Sequence, residues 1–202
     1  AIGDAKLYGT VRTVFDGSNH KFTTLPDPAA VETDAESEYL HLTSNETIEG
    51  LQWQEFPTAS IPVIADMSSD ILSRPVPVER FGMIYAGAQK NLGPAGVTIV
   101  IIRKELVEAG ASGLPAYLSY RTHADKNSLY NTPPVFAVYL VKLVLEWVKA
   151  QGGAASIAER NRRKAGLLYD AINELSSFFR CPVEPTYRSQ MNVVFRLPSE
   201  EL

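Results

Sequence analysis

The chain has 202 residues, 45% of them hydrophobic and 21% charged, the make-up of a water-soluble globular protein with a sizeable core. Nineteen basic against 23 acidic residues leave a net charge of -4, so no broad positive surface exists to hold a nucleic-acid backbone. A single cysteine, Cys181, excludes an intrachain disulfide framework, and the apolar runs are broken by charges well short of a spanning helix.

In chain order, residues 7 to 15 and 38 to 43 carry short β-prone runs, and a polar stretch containing proline connects them. Three compact apolar runs follow: Ile61–Asp66, Met83–Ala86 and Val97–Ile102. They read as strands buried on both faces, and the sequence predicts an α/β fold with a mostly parallel sheet covered by helices. Beyond residue 132 the period becomes helical through Phe136, Tyr139, Leu140, Leu143, Val144 and Trp147. Val135, Val138, Val141, Leu145 and Val148 make most of the circumference apolar, which predicts a largely buried helix. Pro133 and Pro134 fit its first turn, and Gly152 and Gly153 its left-handed exit. A second helix is expected from about 155 to 175, with Leu168, Ile172 and Leu175 inward and a Glu159–Arg163 pair on the solvent face. β character returns from Met191 to Leu197. The expected division is 1–155 for part of a large domain and 156–202 for an interdomain helix with the start of a small C-terminal α/β domain.

The stretch AGAQKNLGPAG, residues 86 to 96, sets Lys90 at a strand end among glycine and proline. Small neighbours let a bulky ligand approach the backbone, and a desolvated lysine amine gives up its proton, as Schiff-base chemistry requires. The bland alternative is a loop lysine pointing into water. Asp66 closes the apolar run 61 to 65, placing a carboxylate at the C-terminal edge of a strand, where ligands of α/β sheets bind; alone it would pass as a turn residue before Ser68 and Ser69. Asn131 and Thr132, taken alone, read as a helix cap before proline. His20, His41 and His123 lack metal-ligand spacing, and no metal site is expected. The spacing of Gly82 and Gly87 imitates a P-loop, but Ala88 stands where that motif needs lysine.

ADMSSDILSRPV (65 to 76), YAGAQKNLGPAG (85 to 96) and YNTPPVFAVYL (130 to 140) resemble the phosphoserine aminotransferases, a family of fold-type-I, class V enzymes dependent on pyridoxal 5'-phosphate (PLP). The resemblance extends from Ala5–Gly9 to Ser189–Val193. It implies that Lys90 carries the cofactor, that Asp66 pairs with its ring nitrogen, that Thr47 and Gln89 contact its ring oxygen and phosphate, and that Asn131 and Thr132 reach the phosphate of a neighbouring subunit. It further implies a homodimer with shared sites; the lone cysteine and the lack of a secretory-signal pattern in residues 1–6 give the expectation of a cytoplasmic protein. The reaction would exchange an amino group between O-phosphoserine and 2-oxoglutarate in serine biosynthesis, and the related phosphohydroxythreonine of pyridoxine biosynthesis could be a further substrate. Family members are longer at both ends, so a phosphate-cupping turn, a ring-stacking aromatic residue and substrate-binding arginine and histidine residues fall outside this stretch. Alternatives are another class V enzyme of the alanine–glyoxylate aminotransferase kind, or a fragment of the fold without turnover.

Overall fold

The computed structural model describes residues 2–199. Its centre is a four-stranded sheet of β1 (Leu40–Thr43), β4 (Val63–Asp66), β5 (Met83–Gly87) and β6 (Thr98–Ile102), in the order β1-β4-β5-β6; β2 (Asn45–Glu46) and β3 (Leu51–Gln52) form a small antiparallel hairpin beside it. β4 pairs in parallel with both β1 and β5, and β6 closes the edge antiparallel to β5. The predicted mostly parallel sheet is therefore present.

Alternation along the strands sends Leu40, Leu42, Val63, Ala65, Ile84 and Ala86 to one buried face, where they meet Trp53, Phe56, Met67, Ile71, Phe81, Ala88, Leu92 and Val141. Successive side chains point to opposite faces, so His41, Thr43, Asp66 and Tyr85 share the other, more open face. The runs are thus buried on one face rather than two, and β6 is exposed along most of its length, because among the described residues nothing as apolar as the core cluster is laid over the second face.

The expected strand over 7 to 15 does not form. A short helix, α1 (Ile2–Ala5), and a one-turn 3₁₀ segment (Gly17–His20) flank irregular chain, since Val11, Val14 and Phe15 find no neighbouring strand to pair with. Three short helices, α2 (Ala88–Asn91), α3 (Lys104–Glu108) and α4 (Tyr120–Asp125), precede the long ones, α5 (Val135–Ala150) and α6 (Gly153–Glu174).

α5 begins at Val135, after the proline pair rather than with the pair inside its first turn, and Pro134 is the N-cap. It is not largely buried: Val141 alone is fully covered, where it passes Gly93 so closely that a Cβ there would lie 3.1 Å from Val141 Cγ2. Phe136 and Trp147 are 72% and 49% exposed, so the all-round apolar surface of α5 exceeds what this chain covers. Gly152 (φ 94°) and Gly153 (φ 76°) make the left-handed reversal into α6 that the sequence predicts.

On α6 the buried stripe is Ile157, Asn161, Ala165 and Ile172, a helical spacing centred elsewhere than expected; Leu168 and Leu175 are exposed. Asn161 explains the shift, because its amide reaches inward to donate to the Ser73 carbonyl at 3.1 Å, a polar anchor that hydrophobic periodicity ignores. The surface ion pair joins Glu159 to Arg162 (2.5 Å), one residue earlier than predicted. The segment 191 to 197 is not a strand; it contributes only an isolated bridge between Arg196 and Arg180. The chain before it, from Val183 to Asn192, folds back onto the β2–β3 hairpin, with Ser189 N donating to the Gly50 carbonyl at 2.8 Å and Gln190 N to Gln52 Oε1 at 3.0 Å.

Candidate active site

Asp66 ends β4 and Gly87 ends β5, and the parallel pairing puts Asp66 directly beside Tyr85. Just past the two strand ends the chains are tied together: Gly87 N donates to Ser68 Oγ at 3.0 Å, and Met67 N to the Tyr85 carbonyl at 2.9 Å. Asp66 and Lys90 therefore leave the same edge of the sheet from adjacent strands, as the sequence reading requires.

Asp66 is half-buried and its carboxylate is oriented locally: Oδ1 accepts the Ser68 N–H at 2.9 Å, the turn that β4 needs in order to leave the sheet. Across the open face, Tyr85 Oη and His41 Nε2 lie 2.9 Å apart. Burial, and then the adjacent Asp66 carboxylate, push the Tyr85 hydroxyl up to about 12, so Tyr85 keeps its proton. The phenol can donate to His41 Nε2 or accept its N–H, according to the imidazole tautomer. Desolvation holds His41 below its ordinary value of 6.5, against the opposing pull of Asp66. The set His41, Tyr85, Asp66 was not read from the sequence. Alternation along Met83-Ile84-Tyr85-Ala86-Gly87 separates Tyr85 from Ile84 and Ala86, but that it stands beside Asp66 needs the register, and His41 needs the strand order.

Lys90 lies in the single turn of α2 and is exposed, contrary to the expectation of a desolvated amine. The reason is helical geometry: Ala88 and Leu92, both 0% exposed, take the inward positions, and Lys90 between them is turned outward. The apolar groove beside α5, lined by Gly93, Pro94, Leu140, Leu143, Val144 and Trp147, includes neither Lys90 nor Asp66. Gln89 is exposed as well, and its amide lies over Gly87 so tightly that a Cβ on Gly87 would meet Gln89 Oε1 at 2.6 Å. With no Cβ at residue 87, the Gln89 carboxamide can lie directly over the end of β5.

Thr47 opens the β2–β3 turn and is half-buried. It stands three residues after Ser44, whose N–H donates to the Asp66 carbonyl at 2.9 Å, so the turn is fastened to the β4 end. Asn131 and Thr132 lie apart, exposed on the approach to α5; Asn131 Nδ2 donates to the neighbouring Thr132 carbonyl at 3.2 Å, and neither residue caps the helix. Asn45, the first residue of β2, is 1% exposed and bonded through its amide to Ser69 and Asn192.

A model of the class-V aminotransferases matches residues 11–201. The phosphoserine aminotransferase of Geobacillus kaustophilus is 52% identical over 202 residues, which is all of this chain and 56% of that protein. The structure of phosphoserine aminotransferase from Bacillus circulans subsp. alkalophilus superposes with a TM-score of 0.96 at 49% identity, covering 99% of this chain and 56% of the other. That of PLP-bound phosphoserine aminotransferase from Trichomonas vaginalis gives 0.82 at 37% identity, over 89% of this chain and 52% of that one. The chain thus spans about half the length of the relatives it matches. With the family matched over nearly every residue and the strand-edge geometry shared with its solved structures, the chain belongs to the class-V aminotransferases.

Proposed function

We propose that this chain is the cofactor-holding part of a phosphoserine aminotransferase. The observation that carries the reading is the placement of a carboxylate, Asp66, and an amine, Lys90, at the ends of adjacent parallel strands in a chain half-identical to proteins of that name. The edge fits pyridoxal phosphate: it offers a carboxylate for a protonated ring nitrogen, a primary amine, and a carboxamide in Gln89 that lies over Gly87.

When bound, the cofactor supplies an electron-withdrawing ring that stabilises negative charge at the substrate's α-carbon. The chain's own residues do the rest. Asp66, aimed by Ser68 and flanked by Tyr85, holds a proton at the ring nitrogen; Lys90 Nζ takes the substrate's α-proton and returns it; Thr47 and Gln89 orient the ring oxygen and the phosphate. Asn131 and Thr132, exposed on the approach to α5, would complete the site of a second copy, which makes the active form a homodimer. The substrates are O-phosphoserine and 2-oxoglutarate in serine biosynthesis, with a phosphorylated hydroxythreonine as a further candidate, and the compartment is the cytoplasm; among the described residues no helix is long and apolar enough to cross a membrane. Residues 1–155 would belong to the large domain and 156–202 to the interdomain helix and the start of the small one.

A second reading, cofactor binding without turnover, is favoured by the exposure of Lys90. The two separate in one experiment. The chain is incubated with pyridoxal phosphate, reduced with borohydride, digested and mapped by mass spectrometry, with phosphoserine turnover assayed in parallel. Label on the Lys90 peptide, lost in Lys90→Ala, together with turnover supports the enzyme. Label without turnover supports the binding module. Label spread over surface lysines with none enriched at Lys90 refutes both.

A further inference from the structure

Behind Asp66 lies a buried polar cluster that the reaction above does not use. Asp70 is 4% exposed, and its carboxyl oxygens face Ser44 Oγ on one side and Gln52 Nε2, at 3.1 Å, on the other. Ser44, 0% exposed, places the same hydroxyl 3.0 Å from the Asp66 carbonyl. The protons of this cluster can be counted. Gln190 N–H is a donor only, so Gln52 must turn Oε1 toward it and Nε2 toward Asp70 Oδ2. Ser189 Oγ already receives the N–H groups of Met191 and Asn192, so its own proton goes to Asn45 Oδ1, and Asn45 Nδ2 is left to donate to Ser69 Oγ and Asn192 Oδ1. Every amide in the cluster is thereby oriented.

Ser44 alone is over-committed. Its single proton faces two acceptors, the Asp66 carbonyl and Asp70 Oδ1, if Asp70 is ionised; one of the two close O···O contacts would then contain no hydrogen. A proton on Asp70 Oδ1 resolves the conflict, turning both contacts into hydrogen bonds that run in one direction. We propose that Asp70 is held as a neutral carboxylic acid that donates to Ser44 Oγ, so that Ser44 donates to the Asp66 carbonyl and fixes the strand end carrying the Asp66 carboxylate.

The surroundings agree. Burial raises the affinity of Asp70 for its proton, and the negative charge of Asp66, on β4, adds to this. Three groups oppose it by favouring the ionised form: Ser44, which leads into β2, Gln52 on β3, and the positive charge of Arg74. Arg74, however, turns its two terminal nitrogens to the carbonyls of Gln54, at 2.9 Å, and Trp53. Asp70 is thus a positioning residue. A neutral acid there also leaves Asp66 as the sole negative charge of the pair. The consequence for cofactor binding rests on the role proposed for Asp66; the protonation state does not, so the two can fail separately.

The test is infrared spectroscopy of the full chain at neutral pH, comparing wild type with Asp70→Asn and Ser44→Ala. The protonated-acid carbonyl band is expected in wild type, absent from Asp70→Asn and shifted in Ser44→Ala. Denaturant unfolding against pH provides the second readout. A group whose folded pKa is raised contributes stability that is complete below the unfolded value of 3.8 and is lost as pH rises through the folded value. Relative to Asp70→Asn, the wild-type unfolding constant should therefore rise with pH above 3.8, by up to about tenfold per pH unit. If Asp70→Asn fails to fold, the wild-type band and its shift in Ser44→Ala decide the matter alone. A wild-type spectrum without the acid band at neutral pH would overturn the proposal, as would a flat stability difference above pH 3.8.

Discussion

Leu92→Ala tests whether the short helix bearing Lys90 is held by its buried side rather than by its own helical propensity. Leu92 is 0% exposed and lies in the cluster with Ala88, Ile71 and Val141, while its N–H closes α2 onto the Ala88 carbonyl at 3.0 Å. The substitution deletes three carbons; at roughly 0.8 kcal/mol per buried methylene the transfer loss alone is about 2.4 kcal/mol. The packed surroundings cannot collapse fully, so a cavity adds to it, and the total is expected within about 2–5 kcal/mol. For a chain of this size that is a fall of roughly 5–20 °C in melting temperature. The assay is urea unfolding followed by circular dichroism, with Lys90→Ala as control. Lys90 is exposed, so its truncation should change stability by no more than about 0.5 kcal/mol while abolishing the borohydride label. A loss of under about 1 kcal/mol for Leu92→Ala, or a Lys90→Ala change as large, would refute the assignment of inward and outward positions on α2.

His41, held below its ordinary value by desolvation, binds a proton less readily in the folded state than in the unfolded. Its contribution is therefore present above pH 6.5 and lost as pH falls through the folded value; wild type should lose stability across that interval, and His41→Gln should lose this part of the dependence, as read from melting temperatures at stepped pH. Asn45→Ala removes the amide that joins Ser69, Ser189 and Asn192, leaving buried polar groups without partners. It should cost about 1–3 kcal/mol in denaturant unfolding and increase hydrogen exchange at Gln190–Asn192, where loss of protection reports release of that segment from the hairpin.

The comparison of pattern with structure turns on which forces are local. The runs 63–66, 83–87 and 98–102, the α5 start after the proline pair and the Gly152–Gly153 reversal were legible because strand alternation, ring closure in proline and positive φ are properties of neighbouring residues. The positions of Asp66 and Lys90 at the strand edge were legible for the same reason, since an apolar run that stops marks the end of a strand.

What only the tertiary structure decided is which surfaces meet. The period of α5 announced an apolar cylinder but not that Val141 alone would find the core, because burial depends on what lies opposite. The run 7 to 15 had strand composition and no strand to join, and the inward stripe of α6 was set by one asparagine reaching Ser73. Lys90 is wet because Ala88 and Leu92 claim the interior of one helical turn, and the Ser44–Asp70 contact joins residues 26 positions apart. Residue types and spacing determined the strands, the turns and the chemistry offered at the sheet edge; register and packing, which are cooperative sums over distant residues, determined how each group is aimed and whether it is covered.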